Sequence, residues 1–154
     1  MNLEVGTVLK WNNFPYPKYG GGIKPRWFIC LGFTDQFAQV SSIYLSTTTT
    51  QIEHFRQHGQ RGGHAHFLFR AEEIQVFEQD CIIDFFERPY SIDKTKIDEH
   101  SGDIEIKGSL DEQRMRMIYN KYLVSKNTSP MEMLDIHNSY NLQGIEGLKR
   151  PKIK

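Results

Sequence analysis

The stretch that decides the fold is Arg26–Thr34, which has the sequence RWFICLGFT. It is almost continuously apolar, and this is typical of a central strand that is covered on both faces. The polar pair Asp35-Gln36 then favours a tight turn, and Phe37–Leu45 follows as a second predicted strand, which ends at Ser46. These features predict an antiparallel β-hairpin at the centre of a sheet.

Further short strands are predicted on both sides of this hairpin, where apolar segments lie between turn residues. They are Thr7–Trp11, Phe67–Phe69, Cys81–Phe85, Tyr90–Lys96 and Ile104–Lys107. The segment from Asn12 to Gly22 contains two prolines and three consecutive glycines, so it is predicted to be a loop. Thr50 is expected to cap a short helix that runs from Gln51 to about Gln57.

The last third of the chain changes to a helical pattern. From Leu110 the apolar residues recur at helical spacing, with Asp111 and Glu112 in the first turn, and this predicts a helix from Leu110 to Ser125. Ser129 as N-cap and Pro130 at the first helical position predict a second helix, from Met131 to about Tyr140.

The expected fold is therefore mainly β with C-terminal helices. About six short strands would close into a small antiparallel β-barrel, capped by one or two α-helices. Residues 1–125 would form the barrel with its first helix, and residues 126–154 the second helix and a basic tail. The side chains expected inside are Val8, Phe28, Cys30, Val40, Phe67 and Ile83.

Composition limits the classes of protein that need to be considered. The 154 residues contain 19 Lys and Arg against 19 Asp and Glu, so there is no global basic field for gripping duplex DNA. No apolar run approaches the length of a membrane span, and no signal-peptide pattern opens the chain. Cys30 and Cys81 each lie in an apolar run, which predicts two buried free thiols in a reducing, cytoplasmic compartment.

The first candidate site lies where a charged pair precedes the apolar strand. Lys24 and Arg26 follow the glycine-rich loop directly, and the charge of Arg26 would require a partner if it were buried in the core. Arg26 is therefore expected at the mouth of the strand, either facing whatever the loop covers or ending the strand as a surface residue. The loop aromatics Tyr16 and Tyr19 could stack on unpaired bases or pack back onto the sheet, and both alternatives stay open.

A second constellation consists of four histidines, His54, His58, His64 and His66. Their spacings of four and two residues would permit Zn²⁺ ligation, although no carboxylate or cysteine accompanies them at ligand spacing. His64 or His66 could instead transfer a proton in a substrate groove, or all four could be solvated loop residues. Nearby arginines, among them Arg61, would make this region locally basic.

The order of these motifs resembles the MazF/PemK-like family of ribonuclease toxins. The resemblance rests on Gly6-Thr7-Val8, the glycine-containing loop, Lys24-x-Arg26 before a strand that ends in Leu31-Gly32, and a partner strand that ends in Ser and Thr residues. It covers roughly residues 6–123. Two features depart from the family pattern: Arg26-Trp27 stands in place of Arg-Pro, and the chain is longer, in Ser91–Asp103 and in the final helix.

The resemblance implies an SH3-like barrel, a homodimer, a cognate antitoxin protein and metal-independent cleavage of single-stranded RNA, with no cofactor. It implies Arg26 and a hydroxyl of the Ser46-Thr47-Thr48 cluster as catalytic groups, with Thr47 and Thr48 favoured. The expected substrate-binding residues are Tyr16, Lys18, Tyr19, Lys24, His64 and His66. A guanidinium and a hydroxyl would stabilise the charge that develops on the phosphate when the ribose 2′-OH attacks it.

Two alternatives stay open beside this hypothesis. The threonine run has an ordinary structural explanation, because threonine suits strand ends and helix N-caps. The whole chain could also be a non-catalytic SH3-like adaptor, whose loop aromatics hold a peptide or a nucleic acid while Arg26 is structural. Walker, dinucleotide-binding, zinc-protease and nucleophile-elbow motifs are all missing from the sequence.

Overall fold

A computed structural model describes residues 1–18, 21–34, 41–125 and 127–152. Its strands are β1 (Thr7–Trp11), β2 (Arg26–Phe33), β3 (Ser42–Thr47), β4 (His66–Phe69), β5 (Cys81–Asp84), β6 (Tyr90–Asp93) and β7 (Ile104–Ser109). Its α-helices are α1 (Lys94–Glu99), α2 (Glu112–Ser125) and α3 (Pro130–Leu142). Two 3-10 helices cover Ile52–Phe55 and Ser101–Asp103. Within the described ranges, no helix has the length and apolar character needed to cross a bilayer.

The strands form two antiparallel sheets. The larger has five strands in the order β6-β3-β2-β1-β7, and the smaller consists of β4 and β5. Thr49, just beyond β3, bridges to Ile82 of β5 and so joins the two sheets. Among the described residues β6 and β7 are the two edges of the larger sheet, so its closure into an SH3-like barrel stays a prediction.

The predicted central hairpin is confirmed as the pair β2 and β3. Phe28 lies opposite Thr47, and the backbone N–H of Thr48 donates to the Trp27 carbonyl at 3.1 Å. The predicted turn and the start of the second strand fall in residues 35–40, outside the described ranges. The order of the sheet also confirms that β2 is central, because it has β3 on one side and β1 on the other.

Strand β2 is buried on both faces because each face belongs to a different core. Ile29 and Leu31 belong to a cluster that connects one face of the larger sheet with the smaller sheet, α2 and α3. Phe28 and Cys30 belong to a second cluster on the opposite face, which includes Trp11. Alternate side chains of one strand thus enter two separate apolar layers, which explains the uninterrupted apolar sequence.

Most of the expected core is confirmed. Val8, Phe28, Cys30 and Ile83 are fully buried, whereas Phe67 is only partly buried against the first cluster. Val40 lies outside the described residues. Both cysteines are free and buried, as predicted.

The two C-terminal helices are confirmed. Helix α2 begins at Glu112 and buries Met115, Ile118, Tyr119 and Tyr122, while Met117 and Leu123 are partly buried. Helix α3 begins with Ser129 as N-cap, whose hydroxyl accepts the Glu132 backbone N–H at 3.1 Å. Its residues Met133, Ile136 and Tyr140 complete the first core cluster.

Two local predictions were wrong. The strand expected over Tyr90–Lys96 ends at Asp93, and α1 begins at Lys94. Ile92 and Ile97 both pack into the second cluster, yet five residues apart in a strand they would point to opposite faces. The helix expected after Thr50 is a short 3-10 helix with Gln51, not Thr50, in the cap position.

Candidate functional site

A pocket of about 330 Å³ lies at the end of the central hairpin. Antiparallel pairing explains its place: Arg26 is the first residue of β2 and Thr47 is the last residue of β3, so both stand at the same end of the sheet. Four sequence-predicted site residues line this pocket, namely Lys24, Arg26, Thr47 and Thr48. The segments that precede and follow β5 complete the wall with residues that include Glu78 and Glu87.

Arg26 has spare hydrogen-bonding capacity in the pocket. Its Nη2 donates to the Gly22 carbonyl at 3.4 Å, a long contact. Its Nε is buried and has no acceptor. Among the described residues no carboxylate forms a salt bridge with it. A buried donor without a partner is costly, and an anionic ligand would satisfy it with charge-assisted bonds.

The threonine run carries the chain from one sheet to the other. Thr48 still pairs with β2, whereas Thr49 exchanges two backbone hydrogen bonds with Ile82 of β5, at 2.9 and 2.8 Å. Thr47, the last residue of β3, directs its side chain to the pocket wall, where Oγ1 donates to Glu87 Oε2 at 3.3 Å. The run therefore has the structural role of a strand extension and also supplies hydroxyl groups to the pocket.

Glu87 is a functional candidate that sequence reasoning missed. Its Oε1 accepts a hydrogen bond from Arg61 Nη1 at 2.7 Å, and its Oε2 faces Thr47. Burial raises the pKa of this carboxyl above its usual value of 4.5, and the nearby Arg61 guanidinium opposes that shift. A partly desolvated carboxylate beside an arginine and a hydroxyl is a candidate general base.

Arg61 connects the pocket to a second carboxylate. Its Nη1 lies 3.3 Å from Oδ2 of the buried Asp84 as well as contacting Glu87. The same Asp84 Oδ2 lies 2.9 Å from Nδ1 of His64. The resulting chain of polar contacts runs from Glu87 in the pocket through Arg61 and Asp84 to His64, and it fixes the position of each member.

The other predicted histidine points elsewhere. His66 Nδ1 lies 2.7 Å from the His64 carbonyl, and its ring packs 5.0 Å from the ring of Phe55. It is not among the residues that line the pocket.

The histidine pair His54 and His58 does not share a helix face, because the 3-10 helix ends at Phe55 and His58 has a φ of 72°. Over the described part of the chain, no three His, Cys, Asp or Glu side chains are grouped as metal ligands would be.

Tyr16 and Lys18, two of the loop residues predicted to bind substrate, are not among the residues that line the pocket. Tyr16 packs edge-on against Trp11 and Phe14, with ring centroids 6.2 and 5.9 Å away. The Lys18 ammonium group lies 5.1 Å above the Tyr90 ring. Tyr19 is outside the described residues. For Tyr16, the alternative of packing back onto the sheet is the one that the structure shows.

A sequence signal for the missed residues does exist. Asp84 and Glu87 stand at the exit of the apolar segment that forms β5, just as Arg26 stands at the entry of β2. A charged residue at the end of a buried strand indicates where the chain leaves the core. Such a residue is a candidate for a functional site. Arg61 carries no such signal, because it lies in an irregular glycine-rich segment.

A comparison of the chain with protein-family models gives no match, and a comparison with curated protein sequences gives none either.

Proposed function

We propose that the protein is an endoribonuclease that cleaves single-stranded RNA without a metal ion, and that the pocket at the end of the hairpin is its active site. One observation carries the proposal: Arg26, Thr47, Arg61 and Glu87 converge on a single cavity. This set combines an unsatisfied cation for a phosphate, a hydroxyl donor, and a carboxylate with a raised pKa. A general base for the 2′-OH and donors for the phosphoryl oxygens are what catalysis of phosphodiester transesterification uses, and these groups can supply both.

The proposed reaction uses the substrate's own nucleophile. The ribose 2′-OH attacks the adjacent phosphorus, the P–O5′ bond breaks, and the products are a 2′,3′-cyclic phosphate and a 5′-OH. Glu87 accepts the 2′-OH proton, the departing O5′ takes a proton from a water molecule, and the hydroxide formed takes the proton back from Glu87, which restores the carboxylate. Arg26 and the Thr47 hydroxyl donate to the phosphoryl oxygens, whose negative charge grows in the transition state. Arg61 holds the Glu87 carboxylate in place.

The resemblance to MazF/PemK-like toxins agrees with this chemistry. On the same proposal the strands form an SH3-like barrel, the protein acts as a homodimeric toxin on mRNA in the cytoplasm, and a cognate antitoxin protein neutralises it. The agreement rests on the positions of Arg26 and Thr47, which the resemblance selects as catalytic and which both line the pocket. The mass in solution at micromolar concentration, measured by light scattering, tests the dimer, and a monomer would contradict it.

The alternative is a non-catalytic binding module. The packing of Tyr16 against Trp11 removes one of the aromatic rings on which that hypothesis depended. The two functions differ in one measurement, because only the nuclease converts RNA into shorter products.

The deciding experiment incubates purified protein with single-stranded RNA in the presence of EDTA. Wild-type protein should produce fragments that end in a 2′,3′-cyclic phosphate, and Arg26→Ala should lose about 10²–10³ in rate. Arg70→Ala, which removes an exposed arginine outside the pocket lining, should cleave like the wild type. Intact RNA after incubation with wild-type protein would refute the proposal and favour the binding module.

A further inference from the structure

An aromatic stack stands beside the pocket, outside its lining. The rings of His64 and Phe86 are nearly parallel, with an interplanar angle of 20° and centroids 4.3 Å apart. Phe86 lies in the turn between β5 and Glu87 and is 49% exposed. Phe86 is thus a large apolar side chain that stacks on a neighbouring ring and still leaves about half of its surface accessible to solvent.

The buried carboxylate of Asp84 contacts both residues of the stack. Oδ1 accepts the backbone N–H of Phe86 at 3.0 Å, and Oδ2 lies 2.9 Å from Nδ1 of His64. Hydrogen bonding of Nδ1 to a carboxylate fixes the orientation of the imidazole ring and leaves Nε2 directed away from Asp84. Both rings are therefore positioned in advance, and a flat ligand that stacks on them would need little further ordering.

The same carboxylate ties the stack to the proposed catalytic groups. Asp84 Oδ2 also contacts Arg61, which in turn contacts Glu87. Phe86 immediately precedes Glu87 in the chain. A nucleotide whose phosphate sits against Arg26 in the pocket would thus find a fixed aromatic face next to the carboxylate that borders it.

We propose that the exposed face of Phe86, backed by His64, is the subsite that stacks a nucleobase adjacent to the scissile phosphate. This inference rests on the proposed function, since it assigns a base to the phosphate that the pocket would hold. A base can stack on an aromatic ring only when it is not stacked within a duplex. The subsite would therefore favour single-stranded RNA, as the proposed function requires. It reads the π-face of the base and therefore tolerates every base.

The test measures binding separately from cleavage. A fluorescent, single-stranded RNA of random sequence, 2′-O-methylated throughout so that it cannot be cleaved, is titrated with protein and followed by anisotropy. Phe86→Ala should weaken binding about tenfold. Phe86→Trp, which keeps an aromatic face, should bind the RNA as tightly as the wild type does. Ile106→Ala is the matched control, because Ile106 is also 49% exposed but lies on β7 outside the pocket lining.

A second oligonucleotide distinguishes the contribution of the bases to binding from that of the phosphate backbone. An abasic strand of the same length keeps the phosphates and lacks the bases, so Phe86→Ala should leave its affinity unchanged. An equal loss for both strands, or an unchanged affinity for the strand with bases, would overturn the subsite. Binding that depends on Phe86 in a protein that cuts no ordinary RNA would support the subsite while refuting the nuclease. A wild-type protein that binds neither strand would overturn both.

Discussion

The hydroxyl oxygen of Thr47 lies 3.3 Å from Oε2 of Glu87, and this contact joins the end of β3 to the turn that follows β5. Thr47 was predicted from the sequence as a site residue, whereas Glu87 was not. The hydroxyl has a single proton, which it donates in a hydrogen bond to the carboxylate. A bound phosphate would compete for that proton, so phosphate binding and the freedom of Glu87 to act as a base are coupled.

Thr47→Val should therefore lower kcat/KM for RNA cleavage by about 10²–10³, because the variant has the same shape and lacks the hydroxyl donor. Thr47→Ser keeps the donor and should retain most of the activity. Thr95→Val, at an exposed position of α1, serves as the control. If Thr48→Val lost activity instead, while Thr47→Val cleaved normally, the active hydroxyl would belong to Thr48.

Arg26→Lys should fail almost as completely as Arg26→Ala. The lysine keeps the charge, but its ammonium group cannot make the planar two-point contact of a guanidinium with a phosphate. The thermal midpoint of both variants should stay close to that of the wild type, because Arg26 makes only a long bond to Gly22 and leaves its Nε unpaired. A fall in midpoint together with the loss of cleavage would indicate a structural arginine.

The hairpin, both C-terminal helices and the position of Arg26 could be predicted because each depends on local sequence. An apolar run, a Ser-Pro cap and a charge before a strand are signals carried by neighbouring residues. The pairing of Thr49 with Ile82, by contrast, joins segments far apart in the chain. That pairing brings β5, and with it Glu87, to the end of β3. A charge at the end of an apolar segment marks Glu87 in the sequence but does not show which strand it will meet, and Arg61 has no such signal.

The packing of α3 against β2 has a steric requirement at Gly32. A Cβ atom at this position would lie 2.7 Å from both Cβ and Oγ of Ser139. Ser139 cannot easily move, because its Oγ accepts the Phe33 backbone N–H at 2.9 Å.

Gly32→Ala should therefore lower the free energy of unfolding by about 1–3 kcal/mol, as overpacking does in a close-packed interior. Urea denaturation measures this change. Gly102→Ala is the matched control, since nothing lies within 4 Å of a Cβ built there. Equal stability of the two variants would show that α3 adjusts without cost.

Glu87 has opposite effects on activity and on stability. Burial is the largest influence on its carboxyl and raises the pKa above 4.5, while Arg61 and the Thr47 hydroxyl act in the other direction. For a group whose folded pKa is raised, the stability contribution is fully present below the unfolded pKa and is lost as the pH rises through the folded pKa. Ionisation of Glu87 therefore lowers the stability of the fold as the pH rises, although cleavage requires the ionised form.

Glu87→Gln should separate the two effects. We expect cleavage to fall by about 10²–10⁴, because the amide cannot accept the 2′-OH proton. The thermal midpoint at neutral pH should equal or exceed that of the wild type, and this difference should shrink as the pH falls and Glu87 becomes protonated in both states. Arg61 keeps a partner in the variant, since Asp84 remains 3.3 Å away.

The matched control is Glu78→Gln, which removes an exposed carboxylate from the same pocket wall. This variant should keep the acidic limb of the pH profile, which is the fall of kcat/KM at low pH as the general base becomes protonated. Persistence of that limb in Glu87→Gln, with substantial activity, would assign the proton transfer to another group.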